Sequence, residues 1–349
     1  MQWNLRIVIL GALLFLPISG VTSSDAQAKQ SHKKHSSTTK QVNLSKGKYK
    51  KSSANTGSRF SALVVNADNG NILYEKNAGG IRYPASLTKM MTLYLTFDAI
   101  KKGRMQMDGS LPISEKAAGQ PQTNISLTAG DQLPVKTAIE SVIVRSANDS
   151  AVVLAEALGG TAWNFSLLMT QKARALGMKD TVFRNPNGLP DNQQLTTAYD
   201  MAKLGIALRR DFPEYYSMFK IKSFAYNGIT YPGHNRVMYR YAGVDGIKTG
   251  YIRASGFNLV TSVKKDGYNL VAVIMGGSSA TARDDEMISM LDRTFAQLES
   301  KQKTLSQDQD SRDDGQEQPE VAKAVEPASE LVVEPVKATQ TARLSGAAF

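Results

Sequence analysis

Strand-patterned sequence stands at both ends of the foldable part of this chain, with helix-patterned sequence between, and few architectures accommodate that order. Near the start, Ser61–Asn66 and Ile72–Lys76 flank Asp68-Asn-Gly-Asn71, which reads as a β-hairpin. Near the end, Asp245–Gly250, Gly256–Val263 and Tyr268–Met275 alternate or run apolar, and Lys265-Asp-Gly267 turns between the last two. Pro84 opens a helical pattern that carries Met90, Leu93, Leu95 and Phe97 to about Lys101. From Val135 to Leu158 the apolar positions fit two helices interrupted around Arg145–Asp149. Further helices are predicted at Ala162–Leu176, at Thr197–Leu208 after the turn-rich Asn185–Pro190, and at about Asp284–Glu299. The expectation is a single α+β domain over 59–298. In it the early hairpin joins the late strands in one antiparallel β-sheet flanked by helices. No internal repeat is present.

The flanks read differently. Arg6, the apolar run Ile7–Leu16, the breakers Pro17 and Gly20, and Ala26-Gln-Ala28 predict a signal peptide over 1–28 and hence an exported protein. An uncleaved anchor is the alternative, although the apolar run is short for a bilayer. Residues 29–58 hold eight lysines and no carboxylate, a composition that predicts a flexible basic linker. Residues 299–349 are polar and predicted to be a disordered tail. The net charge of +11 is concentrated in the linker, and no nucleic-acid recognition motif accompanies it. The linker therefore reads as a non-specific attractor for an anionic wall or membrane surface, with no nucleic-acid partner.

Composition removes several chemistries. There is no cysteine, so thiol catalysis, thiolate metal sites, disulfides and a lipoprotein anchor are excluded together. Of three histidines, His32 and His35 lie in the linker, so a Ser-His-Asp triad would rest on His234 alone.

In Tyr83-Pro-Ala-Ser-Leu-Thr-Lys89, a helix starting near Pro84 puts Ser86 in its first turn and Lys89 one turn later on the same face. An amine whose pKa is lowered by burial or nearby cations can take the proton from a serine hydroxyl. The free N–H groups of a helix start favour the developing oxyanion. Ser-x-x-Lys alone proves nothing, because it occurs seven times: at Ser31, Ser37, Ser45, Ser86, Ser217, Ser262 and Ser300. Only Ser86 follows a hairpin and a proline at a helix start. Ser146-Ala-Asn148, at the break between two helices, can aim a hydroxyl and an amide into a cleft, or equally cap a helix. Ser53-Ala-Asn55 shows how readily the tripeptide arises. Lys248-Thr-Gly250, unique in the chain, can hold a carboxylate beside a close backbone approach, or can be an edge-strand lysine placed against aggregation.

Ser-x-x-Lys, Ser-x-Asn and Lys-Thr-Gly in this order resemble the signatures of the penicillin-binding and serine β-lactamase superfamily. The surrounding Tyr83–Met90, Ser146–Asp149, Asn187-Gly-Leu189, Val244–Tyr251 and Gly256–Val260 are similar to the low-molecular-mass D-alanyl-D-alanine carboxypeptidases. The resemblance covers about residues 59–298. It implies a cofactor-free acyl-enzyme route on peptidoglycan stem peptides, with β-lactam antibiotics as covalent inhibitors. Ser86 would attack the penultimate carbonyl while Lys89 accepts its proton, and Ser146 and Lys248 would relay a proton to the leaving amine. Asn148 would hold the peptide, and the amides of Ser86 and Tyr251 would form the oxyanion hole. The terminal carboxylate would sit against Thr249 and Arg283. Many relatives add a β-rich second domain and an amphipathic C-terminal helix, and residues 300–349 are too short and polar for that pair.

A D,D-endopeptidase uses the same apparatus, so motifs alone leave that alternative open. A β-lactamase needs a deacylating group, and neither Glu156 nor Glu214 sits in a recognisable deacylation motif. A non-catalytic β-lactam sensor would need neither Ser86 nor Lys89.

Overall fold

The computed structural model describes residues 59–313. The segments read as a signal peptide (1–28) and a basic linker (29–58), and residues 314–349 of the predicted tail, lie outside the described residues. The early hairpin forms as expected, from β1 (Ser61–Asn66) and β2 (Ile72–Lys76). The late strands are β7 (Val244–Ile252), β8 (Gly256–Lys265) and β9 (Tyr268–Gly277). Together they make one antiparallel sheet in the order β2-β1-β9-β8-β7.

Alternation along the strands divides the core in two. Leu63 and Val65 face one way with Val271, Val273 and Val260, against the body of helices. Ala62 and Val64 face the other way with Leu270, Ala272, Ile274 and Leu259, against α9 (Ala280–Asp313). Both faces are covered, which is why β8 and β9 read as nearly continuous apolar runs.

The helices between the strands are α1 (Lys89–Lys101), α3 (Val135–Val144), α4 (Asn148–Gly159), α5 (Ala162–Ala175) and α6 (Ala198–Asp211). Thr161 and Thr197 start the last two by accepting from the amides of Asn164 and Asp200. Shorter elements complete the chain: α2 (Glu115–Ala118), α7 (Pro213–Tyr216) and α8 (Val237–Arg240). Two small ribbons join them, β3 (Ser110–Pro112) with β4 (Gln132–Pro134) and β5 (Ser223–Tyr226) with β6 (Ile229–Pro232).

One boundary differs from expectation. The last helix does not stop near Glu299 but runs to Asp313, into the segment predicted to be disordered. Met287, Met290, Leu291 and Phe295 anchor it, each worth about 1.5–3 kcal/mol of buried side chain. Among residues 296–304 only Leu298, partly buried, packs against this cluster. They extend a helix already nucleated, and Lys, Gln, Leu and Ser lose little by continuing it.

Candidate active site

Pro84 leads into a 3₁₀ turn, Ala85–Thr88, that passes directly into α1 at Lys89. Ala85 has a φ of +48°, a left-handed conformation that costs an alanine about 1–3 kcal/mol and needs surrounding structure to hold it. Two glycines provide that surround. A Cβ on Gly188 would lie 2.0 Å from the Ala85 carbonyl oxygen, and one on Gly250 would lie 3.0 Å from the Ser86 nitrogen. The turn is thus pressed between the 185–190 loop and strand β7. Gly188 also has a φ of +84°. Gly188→Ala is therefore expected to cost about 2–3 kcal/mol, or roughly 5–10 °C of Tm for a domain of this size. A thermal melt checks it.

Lys89 is wholly buried and its Nζ reaches three oxygens: Ser86 Oγ at 3.1 Å, Asn148 Oδ1 at 2.8 Å and the Asn187 carbonyl at 2.5 Å. Desolvation pushes its pKa well below the ordinary lysine value. The charge of Lys248 pushes the same way, and Asp149 opposes. The partners fix what a neutral amine does here. Both carbonyl oxygens can only accept, so they take its two N–H donors and leave the lone pair facing the Ser86 hydroxyl. That is the geometry of a general base on a nucleophile.

Ser146 sits at the break between α3 and α4 with a φ of +62°. Its Oγ is buried and has no hydrogen-bond partner among the described residues. Neither it nor Asn148 caps α4: Ala147 is the cap position and no side chain bonds there. Asn148 instead bridges, accepting from Lys89 and donating Nδ2 to the Pro121 carbonyl at 2.8 Å, which leaves one amide hydrogen for a ligand. The segment above it is held by Asn148 N to the Thr123 carbonyl at 2.7 Å, and by the buried Asp149 carboxylate accepting from Ile125 and Leu127.

Lys248 is 2% exposed, so although β7 is the sheet edge this is no solvent-facing edge lysine. Burial, helped by the charge of Arg283, lowers its pKa to about 7. It pairs across the ladder with Val260, and Gly250 with Asn258, so both lie on the helix-facing side of the sheet. Thr249 is also buried, while Tyr251 is exposed and stacks on Phe257 with ring centroids 4.3 Å apart. Strand β7 passes the Ser86 amide at Gly250, one residue before Tyr251.

Arg283 already has partners within the chain. Its guanidinium is held by Asp284 at 2.6 and 2.9 Å and donates to the Asn258 carbonyl at 3.2 Å. Asp284 takes two of its five N–H donors and the Asn258 carbonyl a third, which leaves two, and its charge also acts on Lys248. His234 contacts only the Arg145 carbonyl, at 3.3 Å, which removes the triad reading. Partial desolvation and the charges of Lys248 and Arg145 lower its pKa to about 4.

Three contributors carried no catalytic reading in the sequence. Asn187 supplies a carbonyl to Lys89 across 98 positions, Gly188 seats the nucleophile turn, and Asn258 donates to the carbonyls of Tyr83 and Pro84. The Asn-Gly pair at 187–188 signals a turn but not where the turn docks.

A two-sided antiparallel sheet with a Ser-Lys pair at a helix start beside its edge strand is the fold of the penicillin-binding peptidases. Residues 48–279 match the sequence profile of the D-alanyl-D-alanine carboxypeptidase family. The D-alanyl-D-alanine carboxypeptidase DacF of Bacillus subtilis (strain 168) is 34% identical over 254 residues, which cover 69% of this chain and 63% of that protein. DacA of Escherichia coli (strain K12) is 36% identical over 247 residues, covering 69% and 61%. Penicillin binding protein 5 from Haemophilus influenzae matches in structure with a TM-score of 0.66 at 34% identity, covering 68% of this chain and 70% of that one. This chain belongs to the D-alanyl-D-alanine carboxypeptidase family. It spans about three fifths of the length of the curated relatives it matches.

Proposed function

We propose that the chain removes the terminal D-alanine from peptidoglycan stem pentapeptides through an ester on Ser86. The observation that carries this is the buried Lys89 amine, with two carbonyl oxygens on its donors and Ser86 on its remaining side. Lys89 takes the hydroxyl proton as Ser86 Oγ adds to the penultimate carbonyl. The amides of Ser86 and Tyr251 stabilise the oxyanion. The C–N bond then breaks, and D-alanine leaves with a proton passed through Ser146, whose buried Oγ has no hydrogen-bond partner among the described residues. Thr249 and Lys248 receive the terminal carboxylate, with Arg283 reinforcing the positive potential from behind. Water adds to the ester and restores Ser86.

By this reading β-lactams acylate Ser86 and are released slowly, as befits a relative of a penicillin binding protein. The two glutamates between Asn148 and Lys248 are engaged elsewhere: Glu156 accepts from Ser114 Oγ at 2.7 Å, and Glu214 lies 3.9 Å from Lys101. Neither is placed to drive a deacylating water. Fluorescent penicillin is expected to label the chain at Ser86, Ser86→Ala to abolish the label, and purified protein to release D-alanine from a pentapeptide. Preferential cleavage of cross-linked dimers would make it an endopeptidase, and rapid nitrocefin turnover a β-lactamase. The substrate lies outside the cytoplasmic membrane, which agrees with residues 1–28 acting as an export signal. Residues 29–58 would then attract the domain to anionic wall or membrane groups. Deleting them is expected to weaken binding to sacculi and anionic vesicles at low salt.

A further inference from the structure

We infer that Asn258 is a positioning residue for the Ser86 nucleophile, an inference that rests on the acyl-enzyme reading above. Asn258 is fully buried in β8, directly across the ladder from Gly250. Because Gly250 has no side chain, the Asn258 carboxamide and the nucleophile turn can both occupy that face of the sheet. Its Nδ2 donates to the Tyr83 carbonyl at 3.1 Å and the Pro84 carbonyl at 3.2 Å, the two peptide units immediately before the left-handed Ala85 and Ser86. Its Oδ1 accepts from the Gly276 amide at 3.0 Å, where the register of β8 against β9 shifts between Phe257 and Leu259. Its own carbonyl accepts from Arg283.

A carboxamide of this length is the group that fits. It offers two donors to the turn and an acceptor to the neighbouring strand at once. Aspartate keeps the acceptor but, when ionised, turns a negative oxygen toward two carbonyl oxygens. Alanine removes both ends. The residue touches neither substrate nor the reacting oxygen. It acts by setting the backbone from which Ser86 Oγ and the Ser86 amide project, where a displacement of about 1 Å can cost on the order of 100-fold in rate.

The test compares stopped-flow acylation by fluorescent penicillin in the parent, Asn258→Ala and Asn258→Asp across the pH range, with thermal melts alongside. Acylation is expected to fall by about 10–100-fold in both variants at neutral pH, with non-covalent penicillin binding nearly unchanged. As pH falls, the ratio of Asn258→Asp to parent is expected to climb, because a protonated carboxyl regains one donor for the turn. The ratio for Asn258→Ala should stay flat. A general loss of packing would not produce that difference. Acylation close to the parent's in both variants overturns the inference, and so does a low, pH-independent ratio for Asn258→Asp. Failure of both variants to fold also overturns it, because Asn258 is then a structural residue. A parent that is not labelled at Ser86 refutes the acyl-enzyme reading itself, and this inference falls with it.

Discussion

Lys89→Met is expected to acylate with penicillin about 10²–10⁴-fold more slowly than the parent while remaining folded. Methionine matches the lysine stem in length but has no basic lone pair, so the Ser86 proton has no acceptor. Two opposing effects keep the fold. Removing a wholly buried amine relieves its desolvation, but it also strands Asn148 Oδ1 and the Asn187 carbonyl, each at about 1–3 kcal/mol. The two act in opposite directions, and a thermal melt verifies that the variant is folded. The pH dependence separates loss of the base from misplacement of Ser86. In the parent the competent form of Lys89 is neutral, so acylation rises with pH through its lowered pKa. Lys89→Met should lose that rising limb as well as the rate. A variant that stayed slow but kept the limb would assign the base to another group. Stopped-flow acylation at a series of pH values distinguishes the two.

The sheet and the large helices were legible in the sequence because their signals are local. The Asp68–Asn71 turn marks the β1–β2 hairpin, the apolar runs mark β8 and β9, and the break at Arg145–Asp149 separates α3 from α4. The β5–β6 hairpin carries such a signal in Asn227-Gly228, both with positive φ, but its strands are four residues each and partly polar, too short for alternation to stand out. Motif order picked out the candidate groups that the fold brings together at Lys89. Their support was not legible. The carbonyl of Asn187, the fit of Gly188 against Ala85 and the reach of Asn258 to Pro84 join residues roughly a hundred or more positions apart. In each the atom contacted or contributed is a backbone carbonyl that every residue type shares, so the partner's identity does not announce it. The ion pair of Arg283 with Asp284 was equally hidden although the two are adjacent, because adjacency does not say which way either side chain turns.

Lys248→Met is expected to melt above the parent at pH 7 and, at the same time, to lose most of its carboxypeptidase activity. The sign follows from proton counting. Burial lowers the Lys248 pKa from 10.5 to about 7 in the folded protein. Between those values the unfolded chain binds a proton that the folded chain does not, so this residue makes stability rise with pH across the window. Its destabilising effect is fully present below pH 7 and vanishes above 10.5. A tenfold change in proton affinity corresponds to about 1.4 kcal/mol, so the relief at pH 7 amounts to a few kcal/mol. Against this stands one lost bond, from Nζ to the Thr249 carbonyl at 3.1 Å, worth about 1 kcal/mol. Relief wins. The gap in Tm between variant and parent should therefore narrow as pH is raised toward 10.5, and a melting series shows whether it does. A variant less stable than the parent at every pH would mean that Lys248 is charged and paired in the folded protein. Activity moves the other way: in the proposed mechanism the same amine, protonated, receives the terminal carboxylate of the substrate. Its loss is expected to lower kcat/KM by about 10²–10³-fold. The falling limb of the parent's pH profile near 7 should disappear with it. A buried, half-neutral lysine is costly to fold around, and the site keeps one where a stable core would place methionine.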